Sequence, residues 1–143
     1  MKIREIMSTP VVRIHPDEPV EVAARALTHY NVGAMPVCGS DGRLCGMVTD
    51  RDLVIRCMAA GKSPERTAVE QIMTTGLTVA APNMETSAAA ALMGRMQVRR
   101  LPVVENGKLC GMVSLGDLAN RKETDAEAGK ALSEISNHLS QRD

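Results

Sequence analysis

The chain repeats itself. Met47 to Leu53 reads Met-Val-Thr-Asp-Arg-Asp-Leu, and Met112 to Leu118 reads Met-Val-Ser-Leu-Gly-Asp-Leu. Leu44-Cys45-Gly46 returns as Leu109-Cys110-Gly111, Pro36-Val37 as Pro102-Val103, and Met7 as Met73. The offset is 66 residues from Met7 to Met73 but 65 from Met47 to Met112, so the second hairpin loop is one residue shorter. Such a repeat constrains the fold more than any local signal. Each copy spans about 60 residues, marginal for a free-standing core, so the copies are expected to fold against each other. Two copies of one unit imply a pseudo-twofold axis, with ligands expected in the cleft between them.

Each copy reads as strand, helix, strand, hairpin, strand, helix. In the first, Val11 to His15 is a short β-rich run closed by Pro16. Pro19 opens a helix to Tyr30 with Val20, Ala23, Ala24 and Leu27 on one face. Ala34 to Cys38 is a strand, Asp41-Gly42 a tight turn, Leu44 to Thr49 the partner strand, and Asp50 to Ala60 a helix stopped by Gly61. The second copy predicts strands over Leu77 to Ala81, Leu101 to Glu105 and Leu109 to Ser114. Its helices are predicted over 86–96 and from Leu115, with Asn106-Gly107 as the turn. The reading divides the chain into repeat 1 (7–61), a polar connector (62–72), repeat 2 (73–121) and a helical tail (122–143). In the tail Ala131, Leu132, Ile135 and Leu139 form a stripe of helical period.

Composition narrows the function. Seventeen basic residues balance seventeen acidic ones, which leaves no field to attract nucleic acid or membranes. Tyr30 is the lone aromatic, so base-stacking platforms are missing. No stretch has the length of a membrane span or a signal peptide. Cys38, Cys45, Cys57 and Cys110 show no zinc spacing; Cys45 and Cys110, equivalent positions in apolar strand sequence, read as small buried hydrophobes in a reducing cytoplasm. His15, His29 and His138 match nothing across the repeat and read as surface or capping residues. No nucleophile–base set is visible, so no catalytic residue is assigned.

Thr49-x-x-Asp52 and Ser114-x-x-Asp117 stand at the same point of both copies, after an apolar strand and at a helix start. The structural reading is a capping box. The functional reading is a site where backbone N–H groups and the helix dipole suit phosphate, while the carboxylate accepts from sugar hydroxyls. The two are compatible. Arg99-Arg100 enter the second Pro-Val strand where the first copy has Gly33-Ala34. Structure does not demand arginine there, and its forked donors suit phosphate.

On these residues the chain resembles a tandem pair of CBS domains, a Bateman module. The likeness is carried by Met7, Val32, Pro36-Val37, Gly46-Met47-Val48-Thr49 and Asp52-Leu53. In the second copy it is carried by Met73, Val98, Leu101-Pro102-Val103, Gly111-Met112-Val113-Ser114 and Asp117-Leu118. The resemblance implies an α/β fold of two pseudo-twofold-related CBS repeats forming one compact Bateman module, like the small stand-alone prokaryotic members. It implies a non-catalytic, regulatory role through AMP, ADP, ATP or S-adenosylmethionine, with AMP the leading ligand. By resemblance, Asp117 would hold the ribose, Ser114 would lie near ribose or phosphate, and Arg100 would meet phosphate. Adenine would lie against Met7, Val12, Val32, Gly33 and Met112. Thr49 and Asp52, with Thr78 and Val98, would form a mirror site. Ala34 stands there in place of Arg100, so Arg99 would have to reach across. The family's pairs commonly dimerise through repeat helices. The small residues Ala88 to Ala91, with Leu92 and Met93, make a homodimer the expected assembly, acting on an unidentified protein partner. Alternatives are an S-adenosylmethionine-binding module or a ligand-free assembly module; nucleic-acid binding ranks lower.

Overall fold

The structure, a computed structural model, describes residues 1–142, with side chains described through Asn137. The side chains of His138 and of Leu139 in the tail stripe lie outside that description. The apolar periodicity yields helices α1 (Val20–Tyr30), α3 (Thr86–Met96) and α5 (Asp125–Arg142). Two short helices, α2 (Asp50–Asp52) and α4 (Leu115–Ala119), follow the second strand of each copy. The strands are β1 (Ala34–Cys38), β2 (Leu44–Thr49), β3 (Arg100–Glu105) and β4 (Lys108–Ser114). They pair as two antiparallel hairpins, β1 with β2 and β3 with β4. Asn106 (φ 54°) and Gly107 (φ 79°) make the second turn, the positive-φ pair that a two-residue hairpin requires. In the first turn Gly42 has positive φ (83°) and Asp41 does not, because that loop is one residue longer.

Some elements are smaller than the sequence suggests. The runs from Val11 and Leu77 form no strand. Each contributes a single parallel bridge, Ile14 to Val37 and Ala80 to Val103, since Pro16 and Pro82 cut them short. The predicted helix from Asp50 to Ala60 is α2 followed by a π-helical stretch, Leu53–Met58. Val54 and Ile55 are β-branched, weak helix formers and exposed, and the widened turn carries Cys57 into the core.

Two packed units emerge, offset from the sequence repeats. One holds Met1–Val11, Thr78–Asn106 and Cys110–Asp143; the other holds Val12–Leu77 and Gly107–Leu109. The first has its core in Ile3, Met93, Leu101, Val103, Val113 and Leu118. The second is built on Val20, Ala23, Met35, Val37, Val48 and Ile72. In both, a segment remote in sequence closes the hairpin edge. Ser8 pairs with Met112 across the free side of β4, and Thr74 with Met47 across that of β2. The repeated glycines are there to admit these segments. A Cβ on Gly46 would lie 2.7 Å from the Thr74 carbonyl and 2.8 Å from Met73 Sδ; one on Gly111 would lie 2.6 Å from Met7 Sδ.

Helix α5 packs on α3 and α4 through Ala128, Ala131 and Ile135, all buried. Ala89, Ala90 and Gly94 of α3 are buried within the chain, while Ala88 and Ala91 stay exposed. A Cβ on Gly94 would lie 3.3 Å from Ala131 Cα, so the bare backbone lets α5 settle closely. Among the described residues no helix is long and apolar enough to cross a membrane.

Candidate functional site

Both Thr/Ser-x-x-Asp motifs fold as capping boxes, because each hydroxyl sits in extended backbone at the end of an apolar strand. In the second unit the Thr49 N–H donates to Asp52 Oδ2 and the Asp52 N–H to Thr49 Oγ1, each at 3.0 Å. In the first unit the Ser114 N–H donates to Asp117 Oδ2 at 2.8 Å and the Asp117 N–H to Ser114 Oγ at 3.1 Å. The backbone geometry is the same, with φ −119° at Thr49 and −117° at Ser114.

The two carboxylates nevertheless differ. Asp52 is 6% exposed and fully engaged. The Thr74 hydroxyl lies 3.1 Å from both of its oxygens, and Arg56 Nε approaches Oδ1 at 3.7 Å. Arg56 is itself anchored, donating from Nη1 to the Met73 carbonyl at 3.0 Å. Asp117 is half-buried, and its Oδ1 has no polar partner among the described residues. The capping bond fixes its rotamer and leaves that oxygen available.

Arg99 and Arg100 are both exposed, and neither guanidinium has an ion pair among the described residues. The turn of chain is set by the Leu115 N–H, which donates to the Arg99 carbonyl at 2.7 Å. This brings both arginines and Ser114 to one cleft of about 470 Å³. That volume lies in the range of small-molecule sites. Gly116 on its floor replaces Arg51 of the first copy, and a Cβ there would touch nothing closer than Ser114 Oγ at 3.6 Å. Sequence reasoning missed Gly116. The available signal was the same one that exposed the arginines, a difference between otherwise matched copies. The far wall comes from α5, also unforeseen.

The other expected residues divide between the units. Met7, Thr78, Val98 and Met112 belong with the arginines; Val98 and Met7 pack against that core. Val12, Val32 and Gly33 belong with Thr49 and Asp52. Val12 and Val32 are about 40% exposed, unusual enough for valine to be noted. Gly33 accepts from the Asp50 N–H at 3.0 Å. The helix-dipole argument weakens, because α4 is five residues long and α2 three.

Cys45 and Cys110 are not the buried pair that sequence suggests. Cys38 and Cys57 are buried, Cys110 is half-buried and Cys45 is exposed. Cys45 is the extra residue of a bulge, since Val37 pairs with Gly46 and Cys38 with Leu44. Burial pushes the Cys38 thiol above its ordinary range, against the opposing Arg13 guanidinium. Burial, then the Glu105 charge, raises that of Cys110. Among the described residues no cluster of three or more His, Cys, Asp or Glu could hold a metal ion.

A serine–histidine contact exists at His15 Nε2 and Ser40 Oγ, 3.3 Å apart. The Asp17 N–H lies 3.2 Å from His15 Nδ1, and the Asp17 carboxylate lies 3.6 Å from the same nitrogen.

Comparison with known proteins agrees with this architecture. The CBS domain profile matches residues 3–58 and again 69–123. The CBS domain-containing protein YhcV of Bacillus subtilis is 40% identical over 134 residues, 94% of each chain. Hypoxic response protein 1 of Mycobacterium tuberculosis is 34% identical over 116 residues, 81% of each. A crystal structure of Hypoxic Response Protein I with two coordinated zinc ions superposes with a TM-score of 0.78 at 33% identity, covering 85% of this chain and 98% of that one. The CBS domain pair of protein MJ0100, in complex with 5′-methylthioadenosine and S-adenosyl-L-methionine, has a TM-score of 0.72. It covers 83% of this chain and 93% of that one, and its 24% identity speaks to the fold.

Proposed function

The chain belongs to the CBS-domain family, with two such domains in tandem, and from that premise we propose that it is a non-catalytic regulatory module that binds an adenine nucleotide, AMP above others. The observation that carries this reading is the asymmetry between the matched motifs. Among the described residues, Asp52 spends both oxygens on Thr49, Thr74 and Arg56, whereas Asp117, next in sequence to the Gly116 that lines the arginine cleft, keeps Oδ1 unpartnered, and neither arginine of that cleft has an ion pair. A fixed carboxylate oxygen accepts from a ribose hydroxyl, and Arg100 with Arg99 supplies charge-assisted bonds to phosphate. Ser114 lines the same cleft as the arginines. The arginines favour a phosphate-bearing adenosine over a sulfonium one, because like charges repel. The mirror set around Asp52 is the structural copy and the weaker binder. The protein acts in the cytoplasm as a homodimer of about 31 kDa, twice the 15.3 kDa chain, and passes nucleotide occupancy to a protein partner.

Calorimetry with AMP and 2′,3′-dideoxy-AMP tests the reading. Leaving the Asp117 oxygen unmet costs about 1–3 kcal/mol, roughly fivefold to over a hundredfold in affinity. Equal affinity for the two nucleotides would reduce Asp117 to a helix cap. Incubation with AMP or ATP should return both chemically unchanged.

A further inference from the structure

The cleft has a wall that no CBS repeat supplies. Its two arginines and Ser114 come from the second copy, but Asp125, Gly129 and Leu132 come from α5, beyond the repeat. Helix α5 is held there firmly, since Ala128, Ala131 and Ile135 are at most 4% exposed in the core with α3 and α4. Two features of this wall face the ligand space. Asp125 adds an exposed carboxylate to a cleft whose other charges are the two guanidiniums. Gly129 adds none of the bulk a side chain would bring, and a Cβ built on it meets nothing within 4 Å. Glycine in the interior of a helix is costly, and no neighbour requires it here.

We propose that α5 is a specificity wall of the nucleotide cleft: Asp125 limits the number of phosphates accepted, and Gly129 keeps the space open. The inference rests on the nucleotide reading above and narrows its ligand to a monophosphate. Among the side chains that line the cleft, Asp117 not being one of them, two guanidiniums against one carboxylate leave a single net positive charge. That suits one phosphate group. The additional negative charges of a triphosphate gain little from the arginines once the first phosphate has engaged them, and they meet the Asp125 carboxylate.

The test titrates AMP and ATP into wild type, Asp125→Asn and Gly129→Gln by calorimetry, in magnesium-free buffer so that ATP carries its full charge. Wild type should prefer AMP. Asp125→Asn keeps the side-chain shape and removes the charge. It should improve ATP binding about threefold to fivefold, the scale of an exposed charge pair, with a smaller gain for AMP. Gly129→Gln places a better helix former at an exposed helical position, so its melting temperature should hold or rise. The same side chain fills the cleft and should weaken both nucleotides at least about tenfold, on the scale of lost contacts in a filled pocket. An unchanged ATP-to-AMP ratio in Asp125→Asn overturns the charge role. Unimpaired AMP binding by a well-folded Gly129→Gln overturns the wall, while AMP binding by wild type keeps the nucleotide reading standing. If wild type binds neither nucleotide, that reading fails and this one goes with it.

Discussion

Replacing Asp52 and Asp117 one at a time by alanine should separate structure from binding. The sequence treats them as twins. Asp52→Ala removes a 94% buried acceptor serving the Thr49 N–H, the Thr74 hydroxyl and the Arg56 guanidinium. Hydrogen bonds to a charged group contribute about 1.5–3 kcal/mol each, and a buried carboxylate recovers part of its desolvation cost when deleted. A net loss of about 3 kcal/mol follows. Asp117→Ala removes one capping partner at a half-buried position, worth about 1 kcal/mol. For a chain near 150 residues, about 4 °C of melting temperature accompanies each kcal/mol. The expected falls are therefore about 12 °C for Asp52→Ala and about 4 °C for Asp117→Ala.

Circular dichroism melts give the stabilities, and calorimetry well below both transitions gives AMP affinity. Asp117→Ala should lose tight AMP binding while remaining the more stable variant. Asp52→Ala should keep that binding while being the less stable. Thr74→Val isolates one part of the difference, costing about 1–2 kcal/mol with binding intact. Equal melting temperatures for the two alanine variants would refute the assignment of Asp52 as structural. Tight binding lost in Asp52→Ala and retained in Asp117→Ala would invert the principal site.

Arg100→Ala should weaken AMP by roughly tenfold to a hundredfold and adenosine little, the scale of a charge-assisted bond, and raised salt should narrow that gap in wild type. Gly111→Ala should destabilise, since its Cβ would fall 2.6 Å from Met7 Sδ and 3.2 Å from the Ser8 carbonyl; loss of more than about 1 kcal/mol in urea melts is expected. A thiol reagent at mildly alkaline pH should label Cys45 first and Cys38 last, by peptide mapping. The raised Cys38 and Cys110 thiols also set a sign: the folded state holds their protons longer than the unfolded chain does. Their contribution is present below the ordinary thiol range and is lost as pH rises through it, so stability should decline on the alkaline side. Light scattering at high micromolar concentration should report the dimer; a 15.3 kDa species would remove that proposal.

Much of the fold could be read from the chain because its signals are local and doubled. The strand from Ala34 to Cys38 and the helix from Thr86 to Met96 fall where a short apolar run and helical period put them. What escaped was non-local. Nothing in the sequence near Ile3 or Ile6 says that they belong to the core of Leu101 and Val113. Nothing near Thr74 says that its hydroxyl closes on Asp52, 22 residues away. Gly46 and Gly111 carried the nearest hint. A glycine repeated in mid-strand marks close approach by another backbone, and these two mark where Thr74 and Ser8 cross.

The candidate site became legible by the opposite route, through the places where the copies disagree. A residue that both copies share can be explained by the fold they share, as Thr49 and Ser114 are by their caps. A residue found in one copy alone has no such explanation. Arg100 against Ala34, Arg99 against Gly33 and Gly116 against Arg51 are three such differences, and all three second-copy residues line one cleft. The carboxylates complete the pattern from the side of hydrogen bonding. Thr74 satisfies Asp52, while Ser8, its counterpart, leaves Asp117 Oδ1 without a partner among the described residues. A half-satisfied carboxylate costs stability unless something else supplies the missing donors. Asp52 is committed to the fold, and the proposed ligand site lies in the other copy, where two arginines line a cleft.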